Sequence, residues 1–323
     1  EWNGFLDPAT GLPVYSLYGE TREPTPGMLR ELDVLVVDLQ DVGARPYTYA
    51  STLALCMRAA SAAGIEVVVL DRPNPIGGES LEGPVLDRGF VSFVGLFSIP
   101  MRHGLTMGEL ARLYREVFGL ECGLTVVPMS GWKRAMAFED TGLPWVLPSP
   151  NMPTVDTAFV YPGMILLEGT NLSEGRGTTR PFEIFGAPFL DGPQAAERLN
   201  AEGLPGVAFR PLSFQPTFDK HAGLLCGGGQ IHVTDRQRFR PVLTAVAVLQ
   251  EARRQAEGRE TGLRWLTPPY EYELTRLPID ILAGSESLRA QVECRAPLGE
   301  VAASWEAPLE SFRKLRSRVL LYD

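Results

Sequence analysis

Apolar residues fall along this chain in short β-branched runs that alternate with longer stretches of helical spacing. Val34-Leu35-Val36-Val37, bounded by Asp33 and Asp38, is unbroken in the way expected of a strand buried on both faces of a parallel sheet. Tyr47 to Ala63 is rich in Ala, Leu and Met and predicts a helix, with Gly64 as its C-cap. Ile65–Leu70 follows as a second strand, so the stretch reads as a βαβ unit with a right-handed crossover. Thr106-Met107-Gly108-Glu109 is a capping box ahead of Leu110, Leu113, Tyr114, Val117 and Phe118, an apolar helix face that Gly119 ends. Leu124–Val127 makes another buried strand, and Trp145–Leu147 a shorter one before a cluster of prolines.

The texture changes after about Arg180. Short runs separated by Gly and Pro follow, with Gln230–Val233 the best strand among them. Helices are expected from about Pro241 to Ala256 and from about Pro308 to Val319. A chain of 323 residues exceeds one compact core, which makes two domains sharing a cleft the natural reading. Residues 1–180 then form an α/β domain on a parallel sheet, and residues 181–323 a smaller α+β domain.

With 45% hydrophobic and 21% charged residues the chain is ordinary globular material. Its formal charge of −9 and the absence of a long Lys/Arg run argue against a nucleic-acid partner. The longest apolar stretches, around Ile65–Leu70 and Met164–Leu167, are too short to span a bilayer, so no membrane partner is expected. Cys56, Cys122, Cys226 and Cys294 are scattered and only three histidines are present, which disfavours a zinc cluster and suggests buried thiols. The sequence opens Glu1-Trp2-Asn3-Gly4-Phe5, with no initiator Met and no signal-like segment, as expected of a processed chain or part of a longer one.

Open parallel sheets bind ligands beyond the carboxyl ends of their strands. Here those ends are polar: Asp38-Leu39-Gln40-Asp41 with Arg45, then Asp71-Arg72-Pro73-Asn74, then Pro148-Ser149-Pro150-Asn151. Residues before proline are held extended, so these loops are stiff enough to preorganise a site. The densest segment is Glu168-Gly169-Thr170-Asn171-Leu172-Ser173-Glu174-Gly175-Arg176-Gly177-Thr178-Thr179-Arg180. Glu168 would close a short helix starting at Pro162, where the macrodipole disfavours negative charge, a setting suited to a general acid. An ion pair, Glu174–Arg176 or Glu168–Arg180, that merely shapes the loop is the plainer alternative. Glu109 is assigned to the capping box, and His103 to a proton relay, a sugar hydrogen bond or a buried structural role.

Gly227-Gly228-Gly229 does not open a helix after a strand, and neither a phosphate-cradling loop nor a Gly-x-Ser-x-Gly elbow is present. No cofactor is expected. What remains is a site of carboxylates, amides and arginines, the chemistry of a glycosidase.

Leu12-Pro-Val-Tyr-Ser-Leu-Tyr-Gly19, Asp38-Leu-Gln-Asp-Val-Gly43, Asp71-Arg-Pro-Asn-Pro75, Arg102-His-Gly104, Pro148-Ser-Pro-Asn-Met-Pro153 and Glu168-Gly-Thr-Asn-Leu-Ser-Glu-Gly-Arg-Gly-Thr178 together carry a resemblance. The chain resembles, from about Gly11 to Tyr322, a glycoside hydrolase family once catalogued as a domain of unknown function, which includes exo-β-N-acetylmuramidases of peptidoglycan recycling. The resemblance implies a Rossmann-like domain, a smaller C-terminal domain and a site in the cleft between them. It also implies release of terminal N-acetylmuramic acid from the non-reducing end of small glycan substrates such as muropeptide-derived disaccharides, in a secreted or periplasmic setting. Members carry an upstream strand, helix and Pro-Glu-His-Gly motif whose Glu is a leading catalytic candidate. This sequence opens after that place.

On this reading Glu168 or Glu174 serves as acid/base, with Asp38 or Asp41 in support. Arg45, Arg72, Arg102, Arg176 or Arg180 would pair the lactyl carboxylate of the sugar. Gln40, Asn74, Asn151 and Asn171 would read hydroxyls and the acetamido group, with Asp41, His103 and Thr178 completing the binding set. A non-catalytic muramic-sugar-binding protein and a metal-dependent hydrolase built on Asp38, Asp41, Asp71 and His103 are the alternatives.

Overall fold

The computed structural model describes residues 4–258 and 261–323. Strands β1 (Val34–Val37), β2 (Glu66–Leu70) and β3 (Leu124–Val127) form a parallel sheet in the order β1-β2-β3. The intervening helices are α1 (Tyr49–Ala63), closed by Gly64 at φ +71°, and α2 (Met107–Glu116), opened by the Thr106/Glu109 capping box. Both helices pack on one face, where Val37, Val67, Val69, Leu53, Met57, Leu110 and Leu113 make a core. This is the α/β half on a parallel sheet that the hydrophobic pattern predicted, and it agrees with the Rossmann-like domain that the resemblance implies.

One expectation needs correction. The strands are not buried on both faces: Val34, Val36 and Val127 are exposed, and the buried residues alternate with them at the strand period of two. Among the described residues no element covers that second face. An unbroken apolar run therefore did not distinguish one buried face from two.

Helix α3 (Val155–Met164) follows, starting at the Thr154 cap rather than at Pro162, which lies inside it. A 3-10 turn, Ile165–Gly169, then carries Glu168. The second half holds an antiparallel sheet in which β6 (Cys226–Val233) lies between β4 (Ile184–Ala187) and β5 (Val207–Phe214). Gly227 and Gly228 sit inside β6 because a Cβ there would meet the carbonyls of Leu190 and Phe185 at 2.2 and 1.9 Å. Helices α4 (Gly192–Ala201), α5 (Pro241–Ala256) and α6 (Leu298–Arg316) are the longest in this half.

Two further boundaries differ from expectation. Helix α6 begins at Leu298, with Pro308 within it, because packing of Val301, Ala302 and Trp305 outweighs the one hydrogen bond that proline forfeits. Trp145–Leu147 pairs with no strand, and Val146 is exposed. Of the cysteines, Cys56 and Cys226 are buried as expected, Cys122 is half-buried and Cys294 is exposed.

The halves share a core that runs from Val42 and Tyr47 through Phe159, Met164 and Leu166 of the α3 region to Val246, Leu249 and Trp305. A close approach within it is at Gly163, whose absent side chain lets α3 lie directly on the start of α5: a Cβ there would sit 1.9 Å from the Pro241 carbonyl oxygen. Gly163→Val therefore forces the two backbones apart. A loss of about 1–3 kcal/mol or more, typical of overpacked cores, is expected in denaturant melts, and an unchanged midpoint would show that the contact is dispensable.

Candidate functional site

The turn after α3 leads into a segment whose hydroxyls serve its own backbone. Thr170 Oγ1 donates to the Leu167 carbonyl and accepts from Leu172 N, Ser173 Oγ accepts from Gly175 N, and Thr178 Oγ1 donates to the Gly175 carbonyl. Ser173 exchanges both main-chain hydrogen bonds with Gly186 of β4. Asn171 is likewise internal: its amide donates to the Gly262 carbonyl and accepts from Arg264 N. The fixed backbone presents Glu168, Glu174 and Arg176 to one another.

Arg176 is shared between the glutamates, with Nη2 2.5 Å from Glu168 Oε1 and Nε 3.2 Å from Glu174 Oε1. The far side of Glu174 takes Lys220 Nζ at 2.9 Å, and the far side of Glu168 takes the Tyr270 hydroxyl at 2.8 Å. The result is a row, Tyr270–Glu168–Arg176–Glu174–Lys220, in which two anions alternate with two cations. Burial holds the Glu174 carboxyl above the ordinary value; Lys220 opposes this and the nearby Glu168 charge adds to it. Burial disfavours the Arg176 cation, yet Glu168 and then Glu174 outweigh it and hold the guanidinium firmly protonated. Burial first, then Glu168, pushes the Tyr161 and Tyr270 hydroxyls well above the usual phenol range, so both stay neutral and Tyr270 can donate to Glu168. The two glutamates differ in access: the Glu168 side chain is 16% exposed and that of Glu174 1%.

An aromatic ladder ties this row to open space. Tyr161 packs edge-on against Tyr47, and Tyr47 against Tyr49, with ring centroids 5.7 and 4.9 Å apart. Tyr49 lines a cavity of about 720 Å³, together with Tyr15, Tyr18, Leu39, Phe93 and Glu271. A second cavity, of about 640 Å³, opens at the carboxyl ends of the parallel strands and is lined by Asp38, Asp71, Arg72, Met129, Trp132 and Asp140. Adjacent residues Asp38 and Leu39 thus belong to different cavities.

The expected site residues separate accordingly. Asp38 forms a two-pronged pair with Arg72, at 2.5 and 3.0 Å, on the second cavity, and no contact joins it to Glu168 or Glu174. Asp71 accepts from Thr106 Oγ1, Tyr322 Oη, Gly108 N and Arg72 N, so it anchors the start of α2. Asp41 is buried against His103, Oδ2 lying 3.3 Å from Nε2, with Gly43 N donating to the same oxygen. His103 Nδ1 accepts from Leu105 N, which leaves the ring hydrogen on Nε2 facing Asp41. Among the described residues no group of His, Cys, Asp or Glu converges as a metal site.

Several expected sugar readers are internal clamps. Arg45 is 1% exposed and donates to the carbonyls of Pro84, Ile99 and Leu282, which link the two halves. Arg102 donates to Ile76 and Phe239 carbonyls, Gln40 to those of Asp41 and Pro73, and Asn74 to that of Leu105. Arg180 pairs with Glu183, and Asn151 is half-exposed at its turn. Glu109 keeps its capping role and adds a buried pair to Arg134 at 2.6 Å. Lys220, Tyr270 and Tyr161, which complete the charged row and its aromatic link, carry no local motif and were not legible beforehand.

Two family models match the chain. One, described as exo-β-N-acetylmuramidase NamZ, N-terminal, covers residues 1–156, and its C-terminal counterpart covers residues 159–322. The chain is 49% identical over 322 residues to the peptidoglycan β-N-acetylmuramidase NamZ of Bacillus subtilis (strain 168), a match spanning 100% of this chain and 75% of that protein. It is also similar to two crystal structures of DUF1343 family proteins from Bacteroides fragilis. One aligns with a TM-score of 0.89 at 38% identity and the other with 0.77 at 27%, each over 98% of this chain and 82% of its counterpart.

Arg176→Met leaves two close carboxylates with only Lys220 to offset them. Breaking such a pair costs about 3 kcal/mol, the lower end of the range for buried ion pairs because the guanidinium is partly exposed. The glutamates then bind protons more tightly folded than unfolded, so the deficit grows as pH rises above the ordinary carboxylate value and shrinks below it. Thermal melts at pH 5 and pH 8 should show the larger loss at pH 8; an equal loss at both would contradict the shared-guanidinium account.

Proposed function

The chain belongs to the exo-β-N-acetylmuramidase NamZ family, and on that premise we propose that it releases terminal N-acetylmuramic acid from the non-reducing ends of peptidoglycan fragments. It is a glycoside hydrolase, and its substrates are small glycans that include muropeptide-derived disaccharides. The observation that carries the assignment of roles is the unequal access of two carboxylates on one guanidinium. Glu168, the more exposed, is the group that meets the scissile bond; Glu174, sealed by Lys220 and Arg176, sets the charge around it.

Carboxylate pairs serve glycoside hydrolysis because an oxocarbenium-like transition state needs negative charge beside it and a proton delivered to the leaving oxygen. Tyr270 and Arg176 both donate to Glu168, which orients its carboxylate for either duty. Arg72 is suited to the lactyl carboxylate of the sugar. Its side chain is 44% exposed, and its guanidinium is engaged, among the described residues, by an equally exposed Asp38.

Hydrolysis of a chromogenic β-N-acetylmuramide tests the reading directly. Turnover is expected with the muramide and not with the matching β-N-acetylglucosaminide, which lacks the lactyl group. Glu168→Gln should lower kcat by about a hundredfold or more with the fold intact, as for removal of an acid/base group. Saturable binding of muramic sugars without turnover would instead indicate a binding protein. Separately, Arg72→Met should raise KM about tenfold, the loss of one charge-assisted contact, and an unchanged KM would remove Arg72 from the sugar site.

A further inference from the structure

Lys220 stands out once the charged row is in view. It lies in the connection between β5 and β6, where Asp219 and His221 on either side both adopt positive φ, +66° and +59°. Non-glycine residues in this region are uncommon, and they persist where surrounding contacts determine the backbone. Besides turns within the loop itself, its hydrogen bonds reach the stretch from Leu167 to Gly177. Thr217 donates through both N and Oγ1 to the Gly177 carbonyl, and His221 Nε2 lies 2.6 Å from the Asn171 carbonyl oxygen. Lys220 Nζ spends its three hydrogens on Leu167 O, Leu172 O and Glu174 Oε2, at 2.9, 3.1 and 2.9 Å. Gly177 admits the loop, since a Cβ there would stand 2.5 Å from the Phe218 carbonyl oxygen.

Resting on the glycosidase reading above, we propose that Lys220 is a positioning residue of the hydrolytic site: its ammonium shares the Glu174 charge with Arg176, so that Arg176 can also hold Glu168 toward substrate. The groups facing Glu174 are Lys220 from the β5–β6 loop and Arg176 and Glu168 from its own segment. Behind Glu168 stand Tyr270, Tyr161 from α3, and Glu271, whose charge is felt by both tyrosines. With Lys220 in place the two carboxylates and two cations balance. Without it, one guanidinium serves two carboxylates, and the excess negative charge favours proton uptake by the pair.

The experiment compares pH–rate profiles of kcat and kcat/KM on the chromogenic muramide for the full chain and for Lys220→Met, Lys220→Arg and Lys220→Met/Glu174→Gln. Removing the cation raises the proton affinity of the carboxylate pair. The limb that reports this pair should therefore move to higher pH by about one unit or more in Lys220→Met, with kcat at pH 7 down at least about tenfold and KM little changed. Lys220→Arg keeps the cation and should keep the limb near its wild-type position. The double variant removes the excess negative charge with the lysine, so it should recover activity relative to Lys220→Met. If Lys220→Met does not fold, the double variant and Lys220→Arg decide alone, through recovered activity and an unmoved limb respectively. A folded Lys220→Met that melts earlier yet keeps the wild-type limb and kcat, or a double variant no better than the single one, overturns the proposal. A wild-type chain that never hydrolyses the muramide overturns the glycosidase reading first, and this role with it.

Discussion

One guanidinium between two glutamates is the constraint around which this site is organised. Charges taken from water interact more strongly than they do at a surface, and they are tolerable only when paired and fully hydrogen-bonded. Arg176 alone cannot satisfy four carboxylate oxygens, so Glu168 and Glu174 each recruit a second donor. Those donors come from far along the chain, Lys220 from the β5–β6 connection and Tyr270 from the stretch before α6. Electrostatic neutrality in one short segment thereby fixes how two other loops must fold.

A different set of cations builds the scaffold. Arg45, Arg102, Arg134 and Arg316 are buried and donate mostly to main-chain carbonyls, several of them on the 76–104 stretch. Five rigid N–H donors make arginine well suited to collecting carbonyls that would otherwise be buried without partners. A guanidinium buried and spent in this way is poorly placed to take a substrate carboxylate as well. Arg72 differs because it is open to solvent and paired with an exposed aspartate. The same residue type therefore splits into clamps and candidate ligands according to what surrounds it.

Strand pleat and turn geometry divide the space above the sheet. At the end of β1 the chain sends Asp38 to one cavity and Leu39 to the other. The aromatic-walled cavity connects through Tyr49, Tyr47 and Tyr161 to the carboxylate pair. The polar one presents the Asp38–Arg72 pair. A sugar carrying both an apolar ring face and a carboxylate is chemically matched to such a division, since each part meets a surface of its own kind.

Local pattern was enough for much of the scaffold. The βαβ unit, the Gly64 cap, the Thr106/Glu109 box and helix α5 all depend on residues a few positions apart, and sequence displays those interactions directly. The Glu168–Thr178 segment was legible too, because its carboxylates, guanidinium and hydroxyls are contiguous. Tertiary structure decided the rest. Pro308 lies within α6 and β1 has an open face because packing, rather than propensity, sets a helix start and the burial of a strand. Whether an arginine is clamp or ligand, and whether Asp38 meets Glu168, depends on partners tens to hundreds of residues away. Lys220 lies 46 residues from Glu174, and Tyr270 lies 102 from Glu168. No spacing rule spans such distances, so only the folded chain could bring those charges into one row.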